Sequence, residues 1–255
     1  MDNLAASAAW GLLIGASLVA GAYLASATRL PEFVAAMLTA FGGGVLLAAV
    51  ALELVPEADA QAGTSWTAIG LFAGMLVYVV ADWWLTRDQV VKAARRSAHA
   101  AAAGRSMALH PNHAQAARGE AIAAGLFVDG VPESIALGLS IAEGSLGTAL
   151  LAGILIGNLV EGYGAAQPIV AGGRSARFAM ALMAGIGLSL FLATVLGATV
   201  LSGGGSSLIG TTQAVAAGAV LAMILVSIVP HAFDEVNRLV ACAAVAGFVL
   251  GYLLS

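Results

Sequence analysis

The sequence predicts an all-α membrane protein with eight spanning helices, on the basis of its composition and its apolar windows. Hydrophobic residues make up 60% of the 255-residue chain, charged residues only 9%, and the mean hydropathy is +0.96. Because soluble domains average about 25% charged residues, the bilayer is the expected solvent. A spanning helix needs about 20 largely apolar residues, and eight windows meet this need: 5–27, 33–54, 65–84, 120–141, 146–168, 178–201, 211–229 and 239–254.

The charged residues orient these spans, because cytoplasmic connections collect Lys and Arg and translocated ones do not. With the amino terminus outside, every basic residue falls in an inside connection: Arg29; Arg87, Lys92, Arg95, Arg96, Arg105 and Arg118; Arg174 and Arg177; and Arg238. The outside segments instead hold the acids Asp2, Glu57, Asp59 and Glu143. We therefore predict one transmembrane domain, residues 1–255, in the lipid of the plasma (inner) membrane, with both termini outside.

The first three spans lead to one long connection. The first span is expected to be retained, since its leader MDNL carries an acid instead of the basic residues of a secretory signal. After the third span, residues 86–118 form a basic, alanine-rich cytoplasmic loop that is either mobile or partly helical. Its histidines, His99, His110 and His113, are a candidate transient metal site.

Small residues and a lone cysteine limit how the helices pack. Cys242 is the single cysteine, which excludes an intramolecular disulfide and a cysteine-rich metal cluster. Close helix packing is predicted instead at the GxxxG spacings, which are Gly11/Gly15, Gly70/Gly74, Gly153/Gly157 and Gly247/Gly251. Such small-residue faces also allow a homodimer.

The second and seventh spans carry a sequence repeat. The stretch GVLLAAVALELVPEA (44–58) aligns with GAVLAMILVSIVPHA (218–232), and the identities include the pair Pro56/Pro230. The seventh span comes five steps after the second, so the two cross the membrane in opposite senses. The first three and last three spans are therefore predicted to form an inverted-topology repeat around spans four and five, a 3+2+3 arrangement. Such repeats are common in carriers that open a midplane site to each side in turn. Chance similarity between alanine-rich helices is the alternative.

Spans four and five carry carboxylates where lipid disfavours them. In GLFVDGVPESIALG (125–138), Asp129 and Glu133 lie four residues apart, which places them on one helical face. In span five, Asn158 and Glu161 lie three residues apart, again on one face. An ionised carboxylate near the membrane centre costs at least about 2.5 kcal/mol, and the basic residues all lie in connections or at their edges.

A bound cation, protonation or a water-filled cavity would offset this cost. Pro132 also frees a backbone carbonyl near residue 128, and carbonyls and carboxylates are oxygen ligands for a divalent ion. We therefore predict a metal site of Asp129, Glu133, Asn158 and Glu161. The alternative is that the acids are protonated and hydrogen-bond neighbouring helices.

A second polar set marks the ends of the repeated spans. It consists of Glu53 and Glu57 near the outer end of span two, and His231, Asp234 and Glu235 near the inner end of span seven. Symmetry makes these residues candidate entrance and exit groups, and solvated helix ends are the alternative.

The two polar stretches resemble the motifs of the ZIP family of divalent metal transporters. The family's span-four pattern, HNxPEG, is matched by DGVPES, which keeps Pro132 and Glu133. Its span-five pattern, roughly (H/Q)NxPEG with a later proline, is matched by GNLVEG, which keeps Asn158, Glu161 and, further on, Pro168. The spans and the histidine-bearing loop are similar too, so the resemblance covers almost the whole chain. It implies that zinc or a related ion binds between spans four and five while one inverted-repeat unit moves against the other.

The departures from the family pattern concern mainly its nitrogen ligands. Asp129 stands where histidine is usual, Gly130 where asparagine is frequent, and Gly157 where histidine or glutamine is. Val160 replaces the span-five proline, Glu53 stands at a position often held by histidine, and span six lacks the acid of a second metal site. We expect a single oxygen-only site, which suits Mg, Mn or Fe(II) better than a nitrogen-containing site does.

The predicted function is a secondary carrier of divalent cations of the zinc, manganese or iron class, working by alternating access. The metal ion is its substrate, and no prosthetic group or nucleic-acid partner is expected. No nucleotide-binding motif is present, which disfavours an ATP-driven pump. An enzyme is not expected either, because no nucleophile motif accompanies the core carboxylates. The alternative is a ZIP-like carrier of a non-metal solute, or a membrane sensor that does not transport.

Overall fold

Helices make up nearly all of the part of the chain that the structure describes. The structure is a computed structural model, and it describes the backbone of residues 2–28, 30–102, 111–144, 147–201, 203, 205–229 and 237–255. Within these ranges, side chains are described except at 2, 3, 32, 85–102, 111–122, 124, 129, 200, 201 and 227. This backbone contains no strand, which confirms the all-α prediction.

Each predicted span overlaps a helix, although several of the helix ends differ from the prediction. In chain order they are α1 (Asp2–Ala27), α2 (Glu32–Ala49), α3 (Val55–Ala62), α4 (Thr64–Ala102), α5 (Pro111–Glu143), α6 (Thr148–Ala171), α7 (Ala176–Leu196), α8 (Ser206–Met223) and α9 (Leu239–Leu254). Short π segments follow α2, α7 and α8, at Val50–Leu54, Gly197–Leu201 and Ile224–Ile228.

Seven segments of the described residues are long and apolar enough to cross a membrane. They are Leu4–Ala27, Phe33–Ala62, Thr64–Trp84, Gly125–Glu143, Thr148–Ala171, Ala176–Thr199 and Ser206–Val226. These segments make the chain an integral, polytopic membrane protein. The eighth predicted span corresponds to α9, a shorter apolar helix of 16 residues. At about 1.5 Å per residue it falls short of a hydrocarbon core about 30 Å thick, so the count of eight stays a prediction.

The helices extend further than the predicted spans at the long connection. Helix α4 continues to Ala102 and α5 begins at Pro111, so residues 86–102 and 111–118 of the predicted loop are helical. Alanine, the strongest helix former, is frequent in both stretches, which explains why the helices do not end at the apolar boundary. Helix α8 likewise begins at Ser206 and not at 211.

The helices pack in two groups. In the first group, α1 and α5 each pack against both α6 and α7. In the second group, α2 packs against α9, α4 against α8, and α3 against α8, while the π segment after α2 contacts α8 and the π segment after α8 contacts α2. The groups touch where α2 meets α6 and where α5 meets α8. Helices α5 and α6, which carry the predicted metal site, therefore lie together in the first group and border the second.

The repeated stretches have the same secondary structure. Helix α2 and its π segment, Val50–Leu54, begin and end 174 residues before α8 and its π segment, Ile224–Ile228. The packing is also alike: exchanging α1 with α7, α2 with α8, α4 with α9 and α5 with α6 leaves the main pairs among these eight helices unchanged. Helices α2 and α8 thus share one pattern of helix, π segment and neighbours.

Glycines allow the closest helix contacts of the second group. A Cβ on Gly44 would overlap the Ala244 carbonyl oxygen of α9, and a Cβ on Gly218 would overlap the Leu71 carbonyl oxygen of α4. Gly218 lies 174 residues after Gly44, so the close approach is repeated along with the helices. Backbone contact of this kind is the packing that small residues permit between membrane helices.

Replacing Gly44 by alanine is expected to destabilise the protein by about 1 to 3 kcal/mol, the usual effect of overpacking. The new methyl group would force α2 and α9 apart, because it meets backbone atoms that have no side-chain freedom to move. Thermal unfolding in detergent measures the change. Gly185→Ala is the matched control, since a Cβ on this glycine of α7 meets nothing within 4 Å. Equal melting temperatures for both variants would contradict the prediction.

Candidate metal centre

The predicted metal ligands lie on α5 and α6, which pack against each other. Glu133 of α5 is 4% exposed and Asn158 of α6 is 3% exposed. Glu161, one turn after Asn158, is half-buried. The structure therefore places a carboxylate and an amide in the interior of adjacent helices, with a second carboxylate nearer the surface of the helix pair.

Asn158 carries an unsatisfied polar atom. Its Nδ2 is buried and has no hydrogen-bond partner among the described residues. Leaving a buried donor unpaired costs about 1 to 3 kcal/mol, so the absence of a hydrogen-bond acceptor for Nδ2 needs an explanation. Rotation of the amide by 180° would bring its oxygen to the same place, where it could bind a cation or accept a proton from a neighbouring acid.

The other predicted ligands are only partly described. The backbone of Asp129 belongs to α5, and its side chain lies outside the described part. Among the side chains that the structure does describe, no group of three or more His, Cys, Asp and Glu residues could hold a metal ion. A site of Asp129, Glu133, Asn158 and Glu161 thus remains a prediction.

The histidine predictions and the inner polar set fall outside the described side chains. His99 and His113 have helical backbone in α4 and α5, without described side chains. His110, His231, Asp234 and Glu235 lie outside the described residues altogether.

The space available for a side chain differs between Gly130 and Gly157, the two glycines that depart from the family pattern. Helix α5 continues through Pro132. A Cβ on Gly130 would stand 2.7 Å from Leu190 Cδ2 of α7, so a side chain at this position would displace a buried leucine. A Cβ on Gly157 would meet only Leu46 Cδ1, at an ordinary 3.8 Å. Position 157 can therefore accept a side chain more easily than position 130.

Glu53 caps a helix of the other group. Its π segment brings the half-buried carboxylate to the first turn of α6, where the N–H groups of Ala149 and Leu150 donate to Oε1 at 3.3 Å and Oε2 at 3.1 Å. Helix α6 has no side-chain cap of its own, and a carboxylate there satisfies free N–H groups and the positive end of the helix dipole. Glu57, which the sequence predicts together with Glu53 as a candidate entrance or exit group, is half-buried on α3.

A polar cluster that the sequence did not predict lies near this cap. Glu143, at the end of α5, accepts a hydrogen bond from Gln61 Nε2 of α3 and another from Gln213 Nε2 of α8, the latter at 2.7 Å. We call these three residues the Glu143 cluster. The sequence predicts that Glu143 lies in an outside segment between spans four and five. The single amide in the apolar run of α8, Gln213, was the available signal for this cluster.

The sequence matches no family model and no curated protein.

Proposed function

We propose that the chain is a secondary carrier that moves a divalent metal ion, of the zinc, manganese or iron class, through a site between α5 and α6. The observation that carries the proposal is the burial of Glu133 and Asn158 on two helices that pack against each other in a membrane protein. Ionisable groups inside a membrane protein usually mark a pathway for ions or substrate. The ten basic residues of the sequence all lie in connections between the predicted spans or at their edges.

The metal would be held by oxygen atoms. The proposed ligands are Asp129, Glu133, Asn158 and Glu161, and the carbonyl freed by Pro132 is a further oxygen ligand. An oxygen-only site favours manganese or iron(II) over zinc more than an imidazole-bearing site would. Protons compete with metal for carboxylates, so metal binding is expected to weaken in acid.

The helix packing supports transport by alternating access. We propose eight spans in a 3+2+3 arrangement, with the first and last three forming an inverted repeat, in the plasma (inner) membrane with both termini outside. The matching π segments and the exchangeable helix pairs support this repeat. With the motifs on spans four and five, they also support placing the chain in the ZIP family. A homodimer is also part of the proposal. The GxxxG glycines do not support it, because they pack against helices of the same chain.

Metal binding to the purified protein tests the proposal. We expect the protein in detergent to bind Mn²⁺, measured by equilibrium dialysis, and Zn²⁺ to compete for the same site. Glu161→Gln keeps the size of the side chain and removes its charge, so it is expected to lower the Mn²⁺ affinity by about 10- to 100-fold or more.

Asp59→Asn is the matched control, because Asp59 is an exposed acid of α3 whose loss should leave Mn²⁺ affinity unchanged. Equal affinity in the wild type and in Glu161→Gln would rule out the proposed site. A protein that binds no divalent ion at all would favour the alternative, a ZIP-like carrier of a non-metal solute or a non-transporting sensor.

A further inference from the structure

The Glu143 cluster joins three helices through one carboxylate. Both carboxylate oxygens of Glu143 accept amide hydrogen bonds, one from Gln61 of α3 and one from Gln213 of α8. Helix α5 belongs to the first packing group, while α3 and α8 belong to the second. The cluster therefore lies at the border between the groups, next to the connection between α5 and α6.

Among the described residues, the amide oxygens of the cluster have no hydrogen-bond partner. Gln213 is fully buried, and its Oε1 has no hydrogen-bond partner within the described residues. The same holds for the buried Oε1 of Gln61. Buried polar atoms are normally satisfied, and exceptions commonly mark an ion or an ordered water. Because each amide already touches Glu143, rotation about its Cγ–Cδ bond turns the oxygen toward the carboxylate without moving the side chain away.

Rotated in this way, the three residues present one carboxylate and two amide oxygens. This donor set suits a hard divalent cation, which takes carboxylates, Asn or Gln carbonyls and waters as ligands. It lacks the nitrogen and sulfur atoms that favour zinc. Because the site has a single charged ligand, its affinity should be low, with a dissociation constant on the order of 10⁻⁴ to 10⁻³ M, as in the weakest calcium modules.

The cluster continues into polar groups that lead away from it. Glu53, Glu57 and Gln61 recur every four residues, a spacing that places side chains near one face of a helix. Glu53 in turn contacts the first turn of α6, the helix that carries Asn158 and Glu161. Oxygen-bearing side chains thus extend from the cluster to the amino-terminal end of the helix that holds the core site.

We infer that Glu143, Gln61 and Gln213 form a second, weaker divalent-cation site, which holds the ion before or after it occupies the core site. The inference rests on the proposed function, because it takes the same cation as its ligand. In the absence of cation, the two amide N–H₂ groups donate to Glu143 and hold α3, α5 and α8 together. In its presence, the amides rotate and their oxygens bind the ion.

Mn²⁺ binding to the full chain in detergent, measured by equilibrium dialysis over a wide concentration range, tests the inference. We expect two classes of site in the wild type. Gln213→Leu should weaken the low-affinity class at least tenfold and leave the high-affinity class unchanged, whereas Glu161→Gln should do the reverse. Thr212→Val is the matched control, because the Thr212 hydroxyl bonds only to the Leu208 carbonyl of its own helix in the contacts described.

A second variant distinguishes loss of the cation site from loss of folding. Gln213→Glu adds a carboxylate to the cluster, so it should tighten the low-affinity class at least tenfold and make the melting temperature rise on addition of Mn²⁺. Unchanged low-affinity binding in both Gln213 variants would overturn the inference. The core site is judged separately, since its failure appears as a Glu161→Gln protein that keeps the high-affinity class.

Discussion

Replacing Glu133 by glutamine is expected to reduce Mn²⁺ flux by at least about 100-fold. Loss of a residue that only orients a metal ligand typically costs 10- to 100-fold in affinity or activity, and Glu133 is proposed as a ligand itself. The residue is 4% exposed on α5, so little bulk water is available to solvate an ion that has lost this ligand. Glutamine has nearly the same size, which keeps the packing of α5 against α6 while removing the negative charge.

Uptake of Mn²⁺ into proteoliposomes that contain the purified protein measures this effect. The Asp59→Asn variant, which removes an exposed acid of α3, should keep the wild-type rate within about twofold. Circular dichroism and the melting temperature of Glu133→Gln establish that the helices remain folded. If Glu133→Gln retains more than half of the wild-type flux, the ion does not pass through the site between α5 and α6.

Replacing Gly157 by histidine is expected to raise the ratio of Zn²⁺ to Mn²⁺ uptake by about tenfold or more. Gly157 precedes Asn158 on α6, at a position where the ZIP pattern has histidine or glutamine. A Cβ fits there with one contact, at 3.8 Å to Leu46 Cδ1, so the substitution starts without a backbone clash. Imidazole is a ligand that suits zinc, whereas oxygen atoms alone suit manganese.

Competition between the two ions in the same proteoliposome assay gives this ratio. Gly185→His is the control, because it adds an imidazole to an open position of α7, away from the proposed ligands. An increase in the ratio for both histidine variants would point to a surface effect. An unchanged ratio in Gly157→His, with flux preserved, would show that residue 157 does not reach the ion.

The all-α membrane fold could be predicted because the bilayer imposes a simple rule on the sequence. Every backbone group in lipid must be satisfied within a helix, so apolar windows of sufficient length indicate helices. The ends of the helices were harder to predict, since α4 and α5 extend into polar, alanine-rich sequence where helix propensity matters more than hydropathy. The pair Pro56/Pro230 indicated the repeat. The matching π segments that precede these two positions could not be predicted from the sequence.

The candidate ligands could be predicted because they are polar residues within apolar spans. Asp129, Glu133, Asn158 and Glu161 stand out because they interrupt apolar runs. Glu143 did not, because an acid at the end of a span is ordinary in sequence, and only the fold brings Gln61 and Gln213 to it. The capping of α6 by Glu53 was hidden for the same reason: the residues lie 96 and 97 positions apart in the chain, and no local spacing indicates such a contact.

The matching π segments bear on the direction of net transport by the proposed carrier. A π turn is wider than an α turn and commonly occurs at functional sites, and this chain has one at the equivalent place in each repeated helix. In the proposed mechanism the two repeats exchange conformations, so equal local geometry in both would give the inward-open and outward-open states similar free energies and let both be populated. For the proposed carrier, such balance means reversible exchange, in which the concentration gradient of the ion sets the direction of net flux.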